Sequence, residues 1–464
     1  MKNTTTTHDT THDHDKNVSK FVRITTYPIK PLIISLSIPT ITTMLISALY
    51  NMADTYFVSG ISVQATAAVG VTFSFMSLLQ AVGFFFGQGA GNFVSRALGA
   101  KNYVGASRMC ATGVFLATAI GIVIAVVSFI FAAPLARVLG ASDTVLADTM
   151  KYLRPLCFGV PFIIASFVLN NLLRFQGSAF FGMIGIASGA VINCGLDFVF
   201  IRLLSFGVEG AAYATVCGNV FSTILLLFGC TRGGNIRINL ARTHLNRVSI
   251  AEITKCGLPS LIRQVFMGLS VVVLNNLATN IGHAAGLGDQ VVAAMTIVSR
   301  ITWIMSAAVL GLGQGFQPVC GFNYGAGKHD RVKEALRFCN IAGTVVIAAI
   351  SVVLFIFAER VVALFRSDPG ILQVGAFTLR AQCVTAALLP WAMMSTFWLQ
   401  TTGRTTAASV LSLARQGVFL IPALLIMTAV MPPVLGLQLA VPVSDVLTFV
   451  ATVGVMGRYS KRGR

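Results

Sequence analysis

Gly87-Gln88-Gly89 lies in an apolar stretch from about residue 66 to 95, and it recurs as Gly313-Gln314-Gly315 in a second stretch from about 290 to 320. The same shift of 226 residues carries Gly99-Ala100 onto Gly325-Ala326, Leu153-Arg154 with Cys157 onto Leu379-Arg380 with Cys383, and Gly177 onto Gly403. One offset serving four separate matches marks an internal duplication. Around these landmarks the chain reads as twelve apolar runs, six per half, each long enough for the roughly 20 residues that a bilayer crossing needs. Six spans is an even number, so both halves enter the membrane in the same direction. The repeat axis then lies along the membrane normal, as in transporters built from parallel repeats. The expected fold is an all-α integral membrane protein of twelve transmembrane helices in two six-helix lobes related by a pseudo-two-fold axis.

Composition agrees. Of 464 residues 55% are hydrophobic and 10% charged, and the mean hydropathy is +0.81, whereas soluble domains carry about 25% charged residues. These values exclude a soluble enzyme or a nucleic-acid binder, and the net charge of +18 has another source. Lys and Arg sit in short loops between apolar runs: 23 of the 33 fall on the side of the N-terminus, 7 on the other side and 3 inside spans. That asymmetry predicts both termini in the cytoplasm. The expected organisation is a disordered cytoplasmic tail at 1–30, an N-lobe at 31–229, a cytoplasmic linker at 230–251, a C-lobe at 252–457 and a basic tail at 458–464.

The N-terminal tail is polar, so no cleavable signal peptide is expected. His8, His12 and His14 among Asp9, Asp13 and Asp15 are read as part of a solvated low-complexity tail and not as a metal site. The nine cysteines show no Cys-x-x-Cys pair and read as small buried hydrophobes. Prolines 39, 161, 259, 390 and 422 lie inside apolar runs, where each removes a backbone donor and favours a bend.

Six charged residues fall well inside spans: Asp54, Asp197, Arg263, Arg300, Arg415 and Asp445. A charge at that depth costs several kcal/mol and marks function by default. Asp54 and Asp197 lie toward the outer ends of the first and fifth spans, at similar expected depth. Asn193 precedes Asp197 by one helical turn, on the same face. Such a group of oxygens suits a proton or a sodium ion. Asp445 with one of the three arginines is expected to form a structural network, and contact of the arginines with an anionic or zwitterionic substrate is the alternative.

Several motifs resemble the multidrug and toxic compound extrusion (MATE) family, in its DinF-like branch with the MepA-like bacterial proteins. They are Asn51-Met52-Ala53-Asp54-Thr55, the Gly-Gln-Gly-Ala-Gly run with Ser95-Arg96-Ala97-Leu98-Gly99-Ala100, Leu173-Arg174-Phe175-Gln176-Gly177, Asn193-Cys194-Gly195-Leu196-Asp197, and Gly207-Val208-Glu209-Gly210-Ala211-Ala212. The resemblance implies cation-coupled antiport that exports amphipathic, often cationic compounds by alternating access. It places the coupling site on Asp54, Asn193 and Asp197, with Tyr152, Asn170 and Thr215 as polar neighbours. It matches Pro39 to the first-span proline proposed as a conformational hinge. The other large bacterial branch carries essential acids in spans seven and eight, where this chain has Arg263 and Arg300.

The competing functions are a flippase for a lipid-linked anionic substrate, which the three arginines suit, and a membrane enzyme. The sequence has no His-Glu-x-x-His, P-loop or Gly-x-Ser-x-Gly motif, so no enzymatic activity and no ATPase partner is expected. The expected partners are amphipathic small molecules and membrane lipids, with no nucleic acid and no cofactor beyond a coupling proton or sodium ion. A monomer in the cytoplasmic membrane of a bacterium is expected.

Overall fold

The structure, a computed structural model, describes residues 19–233, 235–239, 241 and 243–462. The His- and Asp-rich segment of the tail lies outside the described residues. Twelve spans follow in order: α1 (Ile29–Ser59), α2 (Val63–Gly99), α3 (Tyr103–Ile130), α4 (Asp143–Phe175), α5 (Ala179–Asp197), α6 (Gly207–Cys230), α7 (Arg247–Ala284), α8 (Gln290–Gly325), α9 (His329–Ile356), α10, α11 and α12 (Pro433–Arg462). The tenth is broken into α10a (Pro369–Ala386) and α10b (Leu389–Thr401), which meet at 51°. The eleventh runs from Thr405 to Val430 with a π-helical segment, Ala414–Phe419, inside it. A second π segment, Phe198–Leu203, continues α5 directly after Asp197.

The internal duplication is visible in the helix ends. The starts of α3 and α9, α4 and α10a, and α6 and α12 are Tyr103 and His329, Asp143 and Pro369, and Gly207 and Pro433, each pair separated by the same shift as the glycine motifs. Gly177 and Gly403 both take a left-handed backbone, with φ of 75° and 83°, just past the ends of α4 and α10b. Glycine suits this position because it lacks the Cβ that makes such a φ costly. The repeated Gly-Gln-Gly also has a packing reason. A Cβ on Gly87 would come 2.8 Å from Asn171 Cβ on α4, and one on Gly313 would come 2.3 Å from the Phe397 ring on α10b. Each glycine lets the second helix of its half lie directly on the fourth.

By packing the chain divides into two units. The first comprises Met1–Leu258 with Gln317–Val332, and the second Pro259–Phe316 with Lys333–Arg464. The boundary therefore cuts α7 beside Pro259 and α8 near its end, and does not fall at the expected linker. The reason is visible inside the first unit: Gln317 donates to Gln88 at 2.9 Å, a Cβ on Gly99 would meet the Phe322 carbonyl, and Arg331 donates to the Tyr27 carbonyl at 2.6 Å. In this unit α4 is central, with Leu153, Leu156, Val160, Ile163, Val168 and Leu169 fully buried.

Residues 19–26, within the expected disordered tail, are helical. Ile24 and Thr25 are buried, and Lys20 Nζ donates to Ser178 Oγ at 2.8 Å and Asn235 Oδ1 at 2.7 Å. In the second unit one core joins Val298, Val362, Ala376 and Leu379, and another joins Ala278, Val291, Met295, Leu424 and Leu437. Outward-facing positions are apolar as well: α3 exposes Ile122, Val123, Val126, Val127 and Ile130, and α9 exposes Val345, Val346, Val352, Val353 and Ile356. Apolar area exposed on this scale suits a helix that faces lipid.

Candidate functional site

In the first unit, α1, α4, α5 and α6 bring one polar cluster together. Tyr50 and Asp54 lie one turn apart on α1, so both face the same way. Asn193 and Asp197 are spaced identically on α5. Tyr152 comes from α4 and Thr215 from α6. Asp54 is 7% exposed, and Asp197 and Thr215 are fully buried. Asn193 Nδ2 donates to Thr215 Oγ1 at 3.3 Å, and both tyrosines also reach the Thr215 hydroxyl. Asp54 lies within electrostatic reach of Asp197 and of both tyrosines.

The cluster is short of donors. Asp54 Oδ1, both carboxylate oxygens of Asp197 and Asn193 Oδ1 are buried without a hydrogen-bond partner among the described residues. Leaving one buried polar group unpaired costs about 1–3 kcal/mol, and more for a charged one. Four such acceptors in one place are relieved by a proton or by a cation. The π segment after Asp197 is consistent with a functional position, where such irregular turns concentrate.

Five of the residues expected at this site, Asp54, Asn193, Asp197, Tyr152 and Thr215, are therefore brought together. Asn170 is not. Its amide lies against Gly182 near the start of α5, where an added Cβ would meet Asn170 Nδ2 at 2.8 Å. Gly182 is fifteen residues before Asp197, about 22 Å along a helix. Tyr50 belongs to the cluster and is absent from the expectation, although its spacing to Asp54 is a readable signal. Pro39 is buried within α1, which runs through it as one helix. Local hydroxyls take up the carbonyls nearby: Thr40 Oγ1 donates to the Ser37 carbonyl and Thr43 Oγ1 to the Pro39 carbonyl, both at 2.8 Å.

The second unit holds a cavity of about 220 Å³. Its charged lining is Arg263, Arg415 and Asp445. Arg415 Nε donates to Asp445 Oδ1 at 3.1 Å, with Asp445 buried. Ser444 Oγ donates to the Arg415 carbonyl at 2.9 Å, inside the π segment of α11. Arg263 lies over the Phe397 ring, 5.3 Å from its centroid. The expected network of Asp445 with one arginine is thus the Asp445–Arg415 pair. Arg300 is outside it: the side chain is exposed on α8 and does not line the cavity. Arg174, from the Leu173–Gly177 motif, is 2% exposed at the end of α4, donating to Asn171 Oδ1 and lying over the Phe175 ring.

A fold of twelve spans built from two repeats of six helices, with acids enclosed inside one repeat, defines a multi-pass membrane transporter. The MatE family profile matches residues 39–199 and 265–426, most of both repeats, and the chain belongs to that family. Among its relatives is the multidrug export protein MepA of Staphylococcus aureus, 27% identical over 404 residues, 87% of this chain and 88% of that protein. The MepA of Staphylococcus haemolyticus is 27% identical over 395 residues, 85% and 86% of the two chains. The fold matches a solved MATE structure in the bent conformation with a TM-score of 0.88 at 27% identity, covering 95% of this chain and 98% of the other. It matches the outward-facing conformation of a multidrug resistance MATE family transporter with a TM-score of 0.87 at the same identity and coverage.

Proposed function

We propose that this chain is a cation-coupled antiporter that exports amphipathic, often cationic compounds by alternating access. The observation that carries the coupling is the donor-deficient cluster around Asp54 and Asp197, whose four unpartnered oxygens take a proton or a sodium ion. An ion that binds there better in one conformation than in the other shifts the population between them by that difference in affinity. The names of the relatives supply the substrate class: they are multidrug export proteins. Both termini are cytoplasmic, in keeping with the distribution of Lys and Arg. The protein works in the bacterial cytoplasmic membrane as a monomer, with no cofactor and no ATPase subunit.

The test is uptake of a fluorescent cationic dye into inside-out proteoliposomes of the purified protein, under an imposed proton gradient or an imposed sodium gradient. Gradient-driven uptake by the wild type that Asp197→Asn abolishes supports the reading and names the ion. No uptake under either gradient, from protein that is monodisperse and helical, contradicts it.

A further inference from the structure

The cavity of the second unit has a property that the proposed export of cations does not use. Its wall carries two guanidinium groups and one carboxylate. Asp445 is committed to Arg415 through the 3.1 Å contact, which leaves Arg263 as the uncompensated charge. Arg263 makes no hydrogen bond or ion pair with any described residue, and its partner is the Phe397 ring below it. A cation–π contact of this kind leaves N–H donors of the guanidinium free for an acceptor such as a carboxylate. An arginine stays protonated in proteins, so the charge persists at depth, where it is costly without a counter-ion.

A second observation points the same way. Ser412 Oγ, also on the cavity wall, is buried with no hydrogen-bond partner among the described residues. The cavity thus offers a positive fork and a free hydroxyl. The remaining wall includes Met267, Trp303, Met305 and Met393, flexible or flat apolar groups that adapt to varied ligand shapes. Low-dielectric walls around one net positive charge concentrate anions.

We infer that this cavity is a binding site for amphipathic anions and zwitterions, whose carboxylate or other acidic group sits on Arg263 and Ser412 while the apolar body lies against the methionines and Trp303. The acidic cluster of the first unit takes cations, so the chain carries two sites of opposite charge preference. The anion site stands on Arg263 and the cavity alone, and is independent of whether transport is coupled to an ion gradient.

The test is equilibrium calorimetry on the purified full-length protein in an uncharged detergent, with naphthalene-2-carboxylate and its neutral isostere naphthalene-2-carboxamide. Hydrogen bonds to a charged group are the stronger ones, so the wild type is expected to prefer the carboxylate about tenfold or more. Arg263→Gln reduces that preference to about twofold or less. Arg263→Lys keeps part of it, since a point charge replaces a fork, and Ser412→Ala lowers it severalfold. Arg300→Gln removes the same charge away from the cavity and leaves the preference intact. The measurement is repeated with phosphatidylglycerol in the micelles: competition identifies a lipid headgroup as the natural anion, its absence identifies a free amphiphile, and either outcome keeps the anion site. Equal affinities for carboxylate and carboxamide in the wild type overturn the inference. So does a preference that survives Arg263→Gln. Should that variant fail to fold, an undiminished preference in Arg263→Lys together with Ser412→Ala overturns it equally.

Discussion

The two repeats share a frame and differ in their chemistry. At the shift that superposes their glycines and helix ends, Asp54 corresponds to Asn280, Asp197 to Ala423, Asn193 to Phe419 and Thr215 to Val441. In the other direction Arg263 corresponds to Ser37, Arg415 to Gly189 and Asp445 to Asn219. None of these seven positions is ionisable in both repeats, whereas Arg154 and Arg380, near the starts of the fourth and tenth spans, do correspond. What the duplication preserves is what packing demands: helix ends, the left-handed glycines and the close approach of the second helix to the fourth. What it leaves free is the set of polar groups set into that frame. Three of the four carboxylate oxygens of Asp54 and Asp197 are buried without a partner among the described residues, whereas Asp445 in the second half is held by Arg415. An unpaired buried acid is available to titrate or to bind an ion, and a paired one holds structure together.

The sharpest way to break this contrast is to neutralise each acid. Asp197→Asn removes no hydrogen bond seen among the described residues, so thermal stability in detergent is expected to be unchanged or raised. Gradient-driven dye uptake falls to background, a loss on the order of 100-fold or more, as for other groups that a mechanism cannot do without. Next in size is Asp445→Leu, which strands the partly buried Arg415 guanidinium. Breaking such a pair from one side costs about 3–5 kcal/mol, read as a fall in the denaturation midpoint. Adding Arg415→Met recovers most of that loss, because replacing both partners of a buried pair is often neutral.

Smaller effects test the shared frame. Gly87→Ala and Gly313→Ala each drive a Cβ into a neighbouring helix and are expected to cost about 1–3 kcal/mol, as overpacking does. The Gly313 variant loses more, because its neighbour is an aromatic ring at 2.3 Å. The smallest effect is at Lys20, where burial pushes the ammonium from its ordinary 10.5 down to about 8. Between those values the unfolded chain keeps the proton and the folded one has lost it, so stability rises with pH across that window. Lys20→Met removes this contribution, and denaturation midpoints at about pH 7.5 and 9.5 move closer together in the variant than in the wild type.

Much of the fold was legible because membrane spans are written in length and hydropathy, which one sequence displays directly. The duplication was legible because glycines needed for close approach cannot drift. The pair Asp54 and Asp197 was legible as charge in apolar surroundings, and their neighbours Tyr152 and Thr215 through the family resemblance. Other features depend on contacts that spacing does not encode. The break in α10 at Ala387–Leu388 lies just before Pro390, which lacks the N–H that would bond the Ala386 carbonyl, and the neighbouring Ala387 carbonyl accepts from Thr344 Oγ1 at 3.3 Å on α9. Burial of Arg174 depends on Asn171 and Phe175 of its own helix. Helix 19–26 is anchored by Lys20 on Ser178 and Asn235, partners more than 150 residues away. Asn170 carries the right chemistry at the wrong height, and only the packing against Gly182 shows it.

The most direct measurement places the two acids in one assay. Proteoliposomes carrying the wild type, Asp197→Asn, or the double variant Arg415→Met with Asp445→Leu are compared for gradient-driven uptake of the same cationic dye at equal protein content. Background uptake is expected for Asp197→Asn and uptake within about threefold of wild type for the double variant, a difference of about 0.7 kcal/mol or less in the barrier. Retained uptake in Asp197→Asn with loss in the double variant contradicts this, and would move the coupling ion to the second repeat.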